Sequence, residues 1–135
     1  MDAMNNKRMY PAVIERGDGV FSVFFPDLPG CTSGGDCLSQ AIEGAHEALA
    51  LHVSGMIEDG EALPPATAIG SVTPQPDGLE IFCIIPVGVL IPGKPVEVAV
   101  KLDDALLSEI DTMSDDRSRF LSDAARAEIA RRMAA

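Results

Sequence analysis

The chain is divided by the segment Pro92-Gly93-Lys94-Pro95, since two prolines lack the backbone donor that a helix or strand interior requires. We therefore predict two parts, residues 1–91 and residues 92–135. The second part has about forty residues, and a lone domain of that size seldom buries enough apolar surface to be stable. The division predicts that the second part folds only with a partner chain.

The beginning of the first part has the pattern of an antiparallel sheet. Met9 to Glu15 and Val20 to Phe25 are rich in β-branched and aromatic residues, and Gly17-Asp18-Gly19 between them favours a hairpin turn. Both faces of Val20 to Phe25 are apolar, so we expect this strand inside the sheet and covered by a helix. A short third strand is predicted over Cys31 to Ser33, and Gly34-Gly35-Asp36 is interpreted as a turn.

A long helix is predicted next, from about Leu38 to Glu58. Its apolar stripe recurs every three or four residues, at Leu38, Ile42, Ala45, Leu49, Val53 and Met56. Gly60 to Gly78 contains four prolines and is predicted to be a loop, and Leu79 to Pro86 is predicted to be a strand. The first part is therefore interpreted as a β-β-β-α-β unit of the α+β class, with a helix packed on a mostly antiparallel sheet.

The second part has the pattern strand, helix, helix. Its strand alternates apolar residues at Val96, Val98, Val100 and Leu102 with Glu97, Ala99 and Lys101. Asp103 and Asp116 are predicted to cap the two helices. On the second helix the predicted apolar stripe is Leu121, Ala125, Ile129 and Met133. A single strand exposes its edge, so we expect antiparallel pairing in a homodimer or a higher even oligomer.

Charge is unevenly distributed between the two parts. Residues 1–93 contain 12 of the 21 acidic residues but 3 of the 10 basic ones, a formal charge of −9, against −2 for the remainder. An acidic surface repels nucleic acid and favours basic partners. Solubility alone is the alternative explanation for this acidity.

Two segments of the first part resemble the opening of HicB-family antitoxins: Tyr10-Pro11-Ala12-Val13-Ile14-Glu15 and Phe24-Phe25-Pro26-Asp27-Leu28-Pro29-Gly30-Cys31. The resemblance continues through Gly35-Asp36 and Ala45-His46-Glu47-Ala48-Leu49 to Glu58-Asp59-Gly60-Glu61-Ala62-Leu63-Pro64. It covers roughly residues 9 to 65 in order and spacing. The tail, with Val98 to Leu107 and Arg117-Ser118-Arg119-Phe120-Leu121, resembles the ribbon-helix-helix pattern that some HicB proteins carry.

The resemblance implies a sheet like a partial ribonuclease H fold, followed by a ribbon-helix-helix domain for dimerisation and DNA binding. It implies an antitoxin that covers a HicA-like toxin, a small basic ribonuclease that cuts messenger RNA, and that represses its own operon at operator DNA. Candidate toxin-binding acids are Asp27, Asp36, Glu43 and Glu47. Candidate DNA-binding residues are Glu97, Ala99 and Lys101 on the ribbon and Arg117, Ser118 and Arg119 at the start of the last helix.

Two alternatives remain open: a ribonuclease H-like, metal-dependent nuclease, and a dimeric interaction module with no role in DNA binding. Two-metal chemistry needs converging carboxylates, and the predicted strand Leu79 to Pro86 supplies none between Ile81 and Ile85. We therefore expect no enzyme activity, no catalytic or metal-binding residue and no cofactor. We expect a cytoplasmic protein without a membrane anchor, since no apolar run reaches the roughly 18 residues of a membrane span.

Overall fold

The computed structural model describes residues 6–73 and 80–134. The elements in chain order are β1 Lys7–Gly17, β2 Val20–Phe24, β3 Thr32–Gly35, α1 Leu38–Glu58, a single 3-10 turn Ile69–Ser71, β4 Glu80–Leu90, α2 Asp104–Met113 and α3 Arg117–Met133. The α+β class and the β-β-β-α-β order of the first part are confirmed.

The strands form one four-stranded antiparallel sheet in the order β3-β2-β1-β4. Asp18 and Gly19 both have positive φ, 53° and 79°, in the predicted turn between β1 and β2. Such φ angles match the turn to the twist of the flanking strands. β2 lies between β1 and β3, as the apolar character of both its faces predicted.

α1 packs on one face of the sheet and has the predicted bounds. The sheet supplies a core of alternating residues, and α1 supplies Ala41, Ala45, Leu49 and Val53, all fully buried. The largest buried strand residues in this cluster are Tyr10, Ile14, Val23, Val87 and Val89, and buried Phe25 follows directly after β2. A strand turns every second residue to one face, and a helix turns residues three or four apart to one face. These two apolar faces pack together and form the core of this layer.

The third strand differs from the prediction, because β3 includes Gly34 and Gly35, which we had assigned to a turn. A Cβ on Gly34 would lie 2.8 Å from the carbonyl oxygen of Phe21, and one on Gly35 would lie 2.7 Å from the backbone nitrogen of Ala41. Glycine here allows the strand to approach both β2 and the first turn of α1. The glycines thus mark close backbone approach within a sheet.

The predicted end of the fourth strand is also wrong, since β4 continues through Pro86 to Leu90. β4 is an edge strand, and Pro86 lies opposite Pro11 of β1. A proline on an edge strand removes no hydrogen bond that the sheet needs. The predicted first residue of this strand, Leu79, lies outside the described residues, as does the loop segment 74–78.

The two tail helices begin at the predicted caps. The Asp103 carboxylate accepts a hydrogen bond from the Leu106 amide at 2.8 Å, and the Asp116 carboxylate accepts one from the Arg119 amide at 3.0 Å. The predicted strand over Val96 to Leu102, in contrast, has no regular secondary structure in the single chain. A strand needs a hydrogen-bonded neighbour, and one chain offers none to this segment.

α3 packs against α1, and Ala130 is 3% exposed within the core of the first part. The predicted apolar stripe of α3 is therefore wrong in part, because Ala125 and Ile129 are exposed. The face of α3 that packs against α1 is the one that carries Ala130. Ala130 follows Ile129 of the predicted stripe by one residue.

Candidate functional site

The predicted toxin-binding acids lie in two different environments. Asp27 is half-buried in the turn after β2, where its two carboxylate oxygens accept hydrogen bonds from the Thr67 amide (2.8 Å) and the Thr67 hydroxyl (2.5 Å). Asp36 is exposed just before α1. Glu43 is exposed and Glu47 is half-buried on α1. The structure does not bring the four together into one site.

The face of α1 that carries Glu43 and Glu47 is partly covered by α3. The pKa of Arg131 on α3 is raised chiefly by its hydrogen bond with Glu128, and more weakly by the charges of Glu43 and Glu47. At the other end of the helix pair, Arg119 donates to the Glu58 carboxylate at 2.8 Å. The tail therefore neutralises part of the acidic surface of α1.

A groove that the sequence analysis missed lies beside the second half of α1, where the helix passes the turn after β2. It encloses about 550 Å³. We call it the acidic groove: its apolar floor is Leu28, Leu51 and Met56, and its rim carries Asp27, Asp59 and Glu61. Leu51 is 46% exposed although it is a large apolar residue in the middle of a helix. Leu51 lies outside the predicted apolar stripe of α1. A large apolar residue at such a position was the signal in the sequence that could have indicated this groove.

The candidate DNA-binding residues of the predicted ribbon lie in an exposed segment of the tail. Val96, Val98 and Val100 are 80%, 77% and 64% exposed, and Glu97, Ala99 and Lys101 between them are exposed as well. Three valines in alternation, exposed to this degree, make an apolar face without a covering partner in the single chain. Nearby, Leu106 and Met113 of α2 are also exposed.

The candidate DNA-binding residues at the start of α3 lie close together, but acidic side chains surround them. The Arg117 guanidinium donates to both Asp111 carboxylate oxygens at 2.8 Å, and this hydrogen bond lowers the pKa of Asp111. Ser118 and Arg117 line a shallow depression together with Asp111, Asp115 and Asp116. The carboxylates oppose the electrostatic attraction of a phosphate to this helix end.

Two further tail arginines are also paired. Glu128 accepts hydrogen bonds from Arg131 and Arg132, which lower the pKa of Glu128 to about 2. Lys101, by contrast, has no ion pair with any described residue. Of the predicted DNA-binding cations, Lys101 is therefore the exposed one that remains available.

The groups that could serve catalysis are dispersed. His46 is buried on α1, and its Nδ1 lies 2.9 Å from the Ile42 carbonyl oxygen, which accepts the hydrogen bond. Within residues 6–73 and 80–134, no three His, Cys, Asp or Glu side chains lie close enough together to hold a metal ion. Among the helices described, none is long and apolar enough to cross a membrane.

This arrangement defines a small α+β protein with a helix-covered antiparallel sheet, an acidic groove, and a tail with an exposed apolar segment. The model of the HicB-like antitoxins of bacterial toxin–antitoxin systems matches residues 10–125. The chain belongs to this HicB-like antitoxin family.

A curated relative and two solved structures are similar to most of the chain. The chain is 35% identical over 122 residues to an uncharacterized 14.9 kDa protein from the rep–hol intergenic region of Haemophilus phage HP1, over 84% of this chain and 92% of the phage protein. The crystal structure of the Burkholderia pseudomallei antitoxin HicB is similar, with a TM-score of 0.51, 27% identity and coverage of 88% of this chain and 96% of that chain. The fold is also shared with a chain of a toxin–antitoxin complex from Streptococcus pneumoniae (TM-score 0.53, 21% identity, 90% of this chain and 99% of that chain). Membership of an antitoxin family indicates a binding role rather than an enzymatic one.

Proposed function

We propose that this antitoxin neutralises a small basic HicA-like toxin, which cleaves messenger RNA, by covering the toxin's cationic RNA-binding surface with the acidic surface of residues 1–91. The observation that carries this proposal is the formal charge of −9 on residues 1–93 of an antitoxin-family chain, whose described residues in this range form a sheet covered by a helix. A surface that binds phosphate is cationic, and an acidic platform attracts it over a distance and speeds its encounter.

The test is co-expression with the product of a neighbouring reading frame that encodes a small basic protein. We expect the two proteins to co-purify, and we expect the antitoxin to restore growth that the basic protein alone arrests. A basic protein of similar size and charge from an unrelated locus serves as the control, and it should neither co-purify nor be counteracted. Absence of a complex with the neighbouring product contradicts the proposal.

We also propose that the tail represses the operon as a ribbon-helix-helix dimer. The exposed alternation of Val96, Val98 and Val100 supports it, because pairing with a second copy covers this face and turns Glu97, Ala99 and Lys101 outward. A two-stranded ribbon fits the major groove of DNA, where a lysine can donate to guanine. Arg117 and Arg119 would first have to exchange their bonds to Asp111 and Glu58 for phosphate.

A gel-shift titration with the DNA upstream of the operon tests this second function. We expect Lys101→Ala to weaken binding by about 1–3 kcal/mol, the range of one good base contact. Lys94→Ala removes an equal charge from the linker and serves as the matched control, with a smaller loss. Equal losses for the two variants would mean that the ribbon does not read the operator. No shift at all would leave the dimeric interaction module as the function of the tail.

The nuclease alternative predicts magnesium-dependent cleavage of RNA or of an RNA–DNA hybrid by the purified chain. The dispersed carboxylates of the described residues supply no converging set for two metal ions. We therefore expect no cleavage above that of buffer alone.

A further inference from the structure

The acidic groove has the chemistry of a docking site for a basic peptide segment. Its floor combines the buried side chain of Leu28 with the 46% exposed side chain of Leu51. Its rim carries three carboxylates, and the described residues that line it include His52 but no lysine or arginine. An apolar floor with a rim of one charge fits a partner segment that carries an apolar side chain beside opposite charges.

One of these carboxylates is held in place without being neutralised. Both donors to Asp27 are groups of Thr67, an amide and a hydroxyl, and neither carries a charge. The negative charge of Asp27 therefore persists at a fixed position on the rim. Fixed charges lose little side-chain entropy on binding, which favours them as contact points.

The end of α1 adds to the negative potential. The helix ends at Glu58 beside the groove, and its last turn contains no basic residue. The carbonyl end of a helix dipole attracts cations. Asp59, the residue that follows the helix, lies on the groove rim.

The groove also differs from the other acidic surface of α1, because α3 does not line it. Glu43, Glu47 and Glu58 lie near arginines of α3. None of the residues that line the groove belongs to α3. A partner can therefore enter the groove without displacing α3.

We propose that the acidic groove receives a cationic amphipathic segment of the toxin, with an apolar side chain against Leu51 and Met56 and with lysine or arginine side chains at Asp27, Asp59 and Glu61. This inference rests on the proposed antitoxin function and assigns it a site. Of the four candidate toxin-binding acids, it includes Asp27 and leaves out Asp36, Glu43 and Glu47.

Gly55 allows a sharp test, because it lines the groove and a Cβ there would meet no atom within 4 Å. In Gly55→Arg, a long cationic side chain starts from this open position, and we expect it to fill the groove. We expect the dissociation constant of the full-length antitoxin for the purified toxin, measured by surface plasmon resonance, to rise about 100-fold. Asp59→Lys reverses a rim charge at the end of the helix, where a cation is tolerated, and should weaken binding in the same direction.

A matched control separates blockade of the groove from the effect of an added charge. Gly70→Arg adds the same side chain at a glycine outside the groove that also has open space around it. It should bind within about threefold of the unmodified chain. Circular dichroism verifies folding of each variant.

The outcomes are distinguishable. If the unmodified chain binds the toxin and Gly55→Arg and Asp59→Lys bind equally well, the groove is not the site while the antitoxin function stands. If Gly70→Arg weakens binding as much as Gly55→Arg, added charge alone explains the loss and the groove assignment fails. If the unmodified chain does not bind the toxin, the proposed function itself fails.

Discussion

At the residue scale, the three cysteines differ in chemistry because the fold places them differently. Burial raises the pKa of Cys31 to about 11, and burial also raises the pKa of the half-buried Cys83. Cys37 is exposed just before α1, and its pKa is lowered, chiefly by a hydrogen bond with the Ser39 hydroxyl. Thiolate is the reactive form of cysteine, so reactivity should follow both exposure and pKa.

We predict that iodoacetamide at pH 7.5 or so alkylates Cys37 first, Cys83 more slowly and Cys31 last. Peptide mass spectrometry over a time course measures the order. In denaturant the three rates should converge, which is the internal control. Alkylation of Cys31 at the rate of Cys37 in the native protein would contradict the burial that the structure gives it.

Gly60 shows how a single residue ends α1. Its φ is +77°, its amide donates to the Ile57 carbonyl, and the amide of Glu61 donates to the Met56 carbonyl at 2.8 Å. This pair of bonds is a Schellman motif, which needs a left-handed residue at this position. The motif also sets the direction in which Glu61 reaches the groove rim.

We predict that Gly60→Ala lowers the free energy of unfolding by about 1–2 kcal/mol, since a Cβ is strained at positive φ. Gly55→Ala is the matched control, because Gly55 is helical with open space, and there alanine should raise stability by up to about 1 kcal/mol. Urea denaturation followed by circular dichroism measures both. Changes of the same sign at the two positions would refute the account.

At the element scale, α3 docks on α1 through a narrow apolar contact. Ala130 is the buried residue of α3, and the ion pair of Arg119 with Glu58 lies at the other end of the helix. Exposed ion pairs contribute little to stability, so the packing of Ala130 should carry most of the attachment.

We predict that Ala130→Glu detaches α3, because a charged side chain at a 3% exposed position must leave the α1 interface. Amide hydrogen exchange in residues 117–133 should accelerate by about tenfold or more, while exchange in β2 should be unchanged. Ala125→Glu places the same side chain on the exposed face of α3 and should leave protection intact. Equal effects of the two substitutions would show that α3 is not held by this contact.

At the scale of the whole molecule, the exposed valines lead us to predict an assembly larger than one chain. Val96, Val98 and Val100 form an apolar edge that a second copy would cover by antiparallel pairing. The antitoxin in solution should then be a dimer or a higher even oligomer.

We predict that Val98→Asp converts the dimer to a monomer of 14.2 kDa, since the buried ribbon face would receive an unpaired charge. Light scattering coupled to size exclusion measures the mass. Ala99→Asp is the control, because Ala99 faces outward in the proposed ribbon, and it should remain dimeric. A compact monomer of the unmodified chain would refute ribbon pairing.

Local patterns in the sequence were sufficient for the elements themselves. The apolar periodicity of residues 38–58, the Asp18-Gly19 turn and the caps Asp103 and Asp116 each depend on residues within about one helical turn or one hairpin, so adjacent residues suffice to specify them. The predicted helix bounds of α1 and the order of the strands follow from these patterns.

Only the tertiary structure determined which faces of the elements are buried and which residues meet at the surface. Whether Pro86 interrupts β4 depends on the strand's edge position, and which face of α3 is buried depends on α1, some seventy residues earlier in the chain. The acidic groove likewise combines Asp27, Leu51 and Glu61, which the chain brings together by packing the turn after β2 on the helix. Contacts between distant segments are set by which buried faces fit one another, and no short window of sequence contains that information.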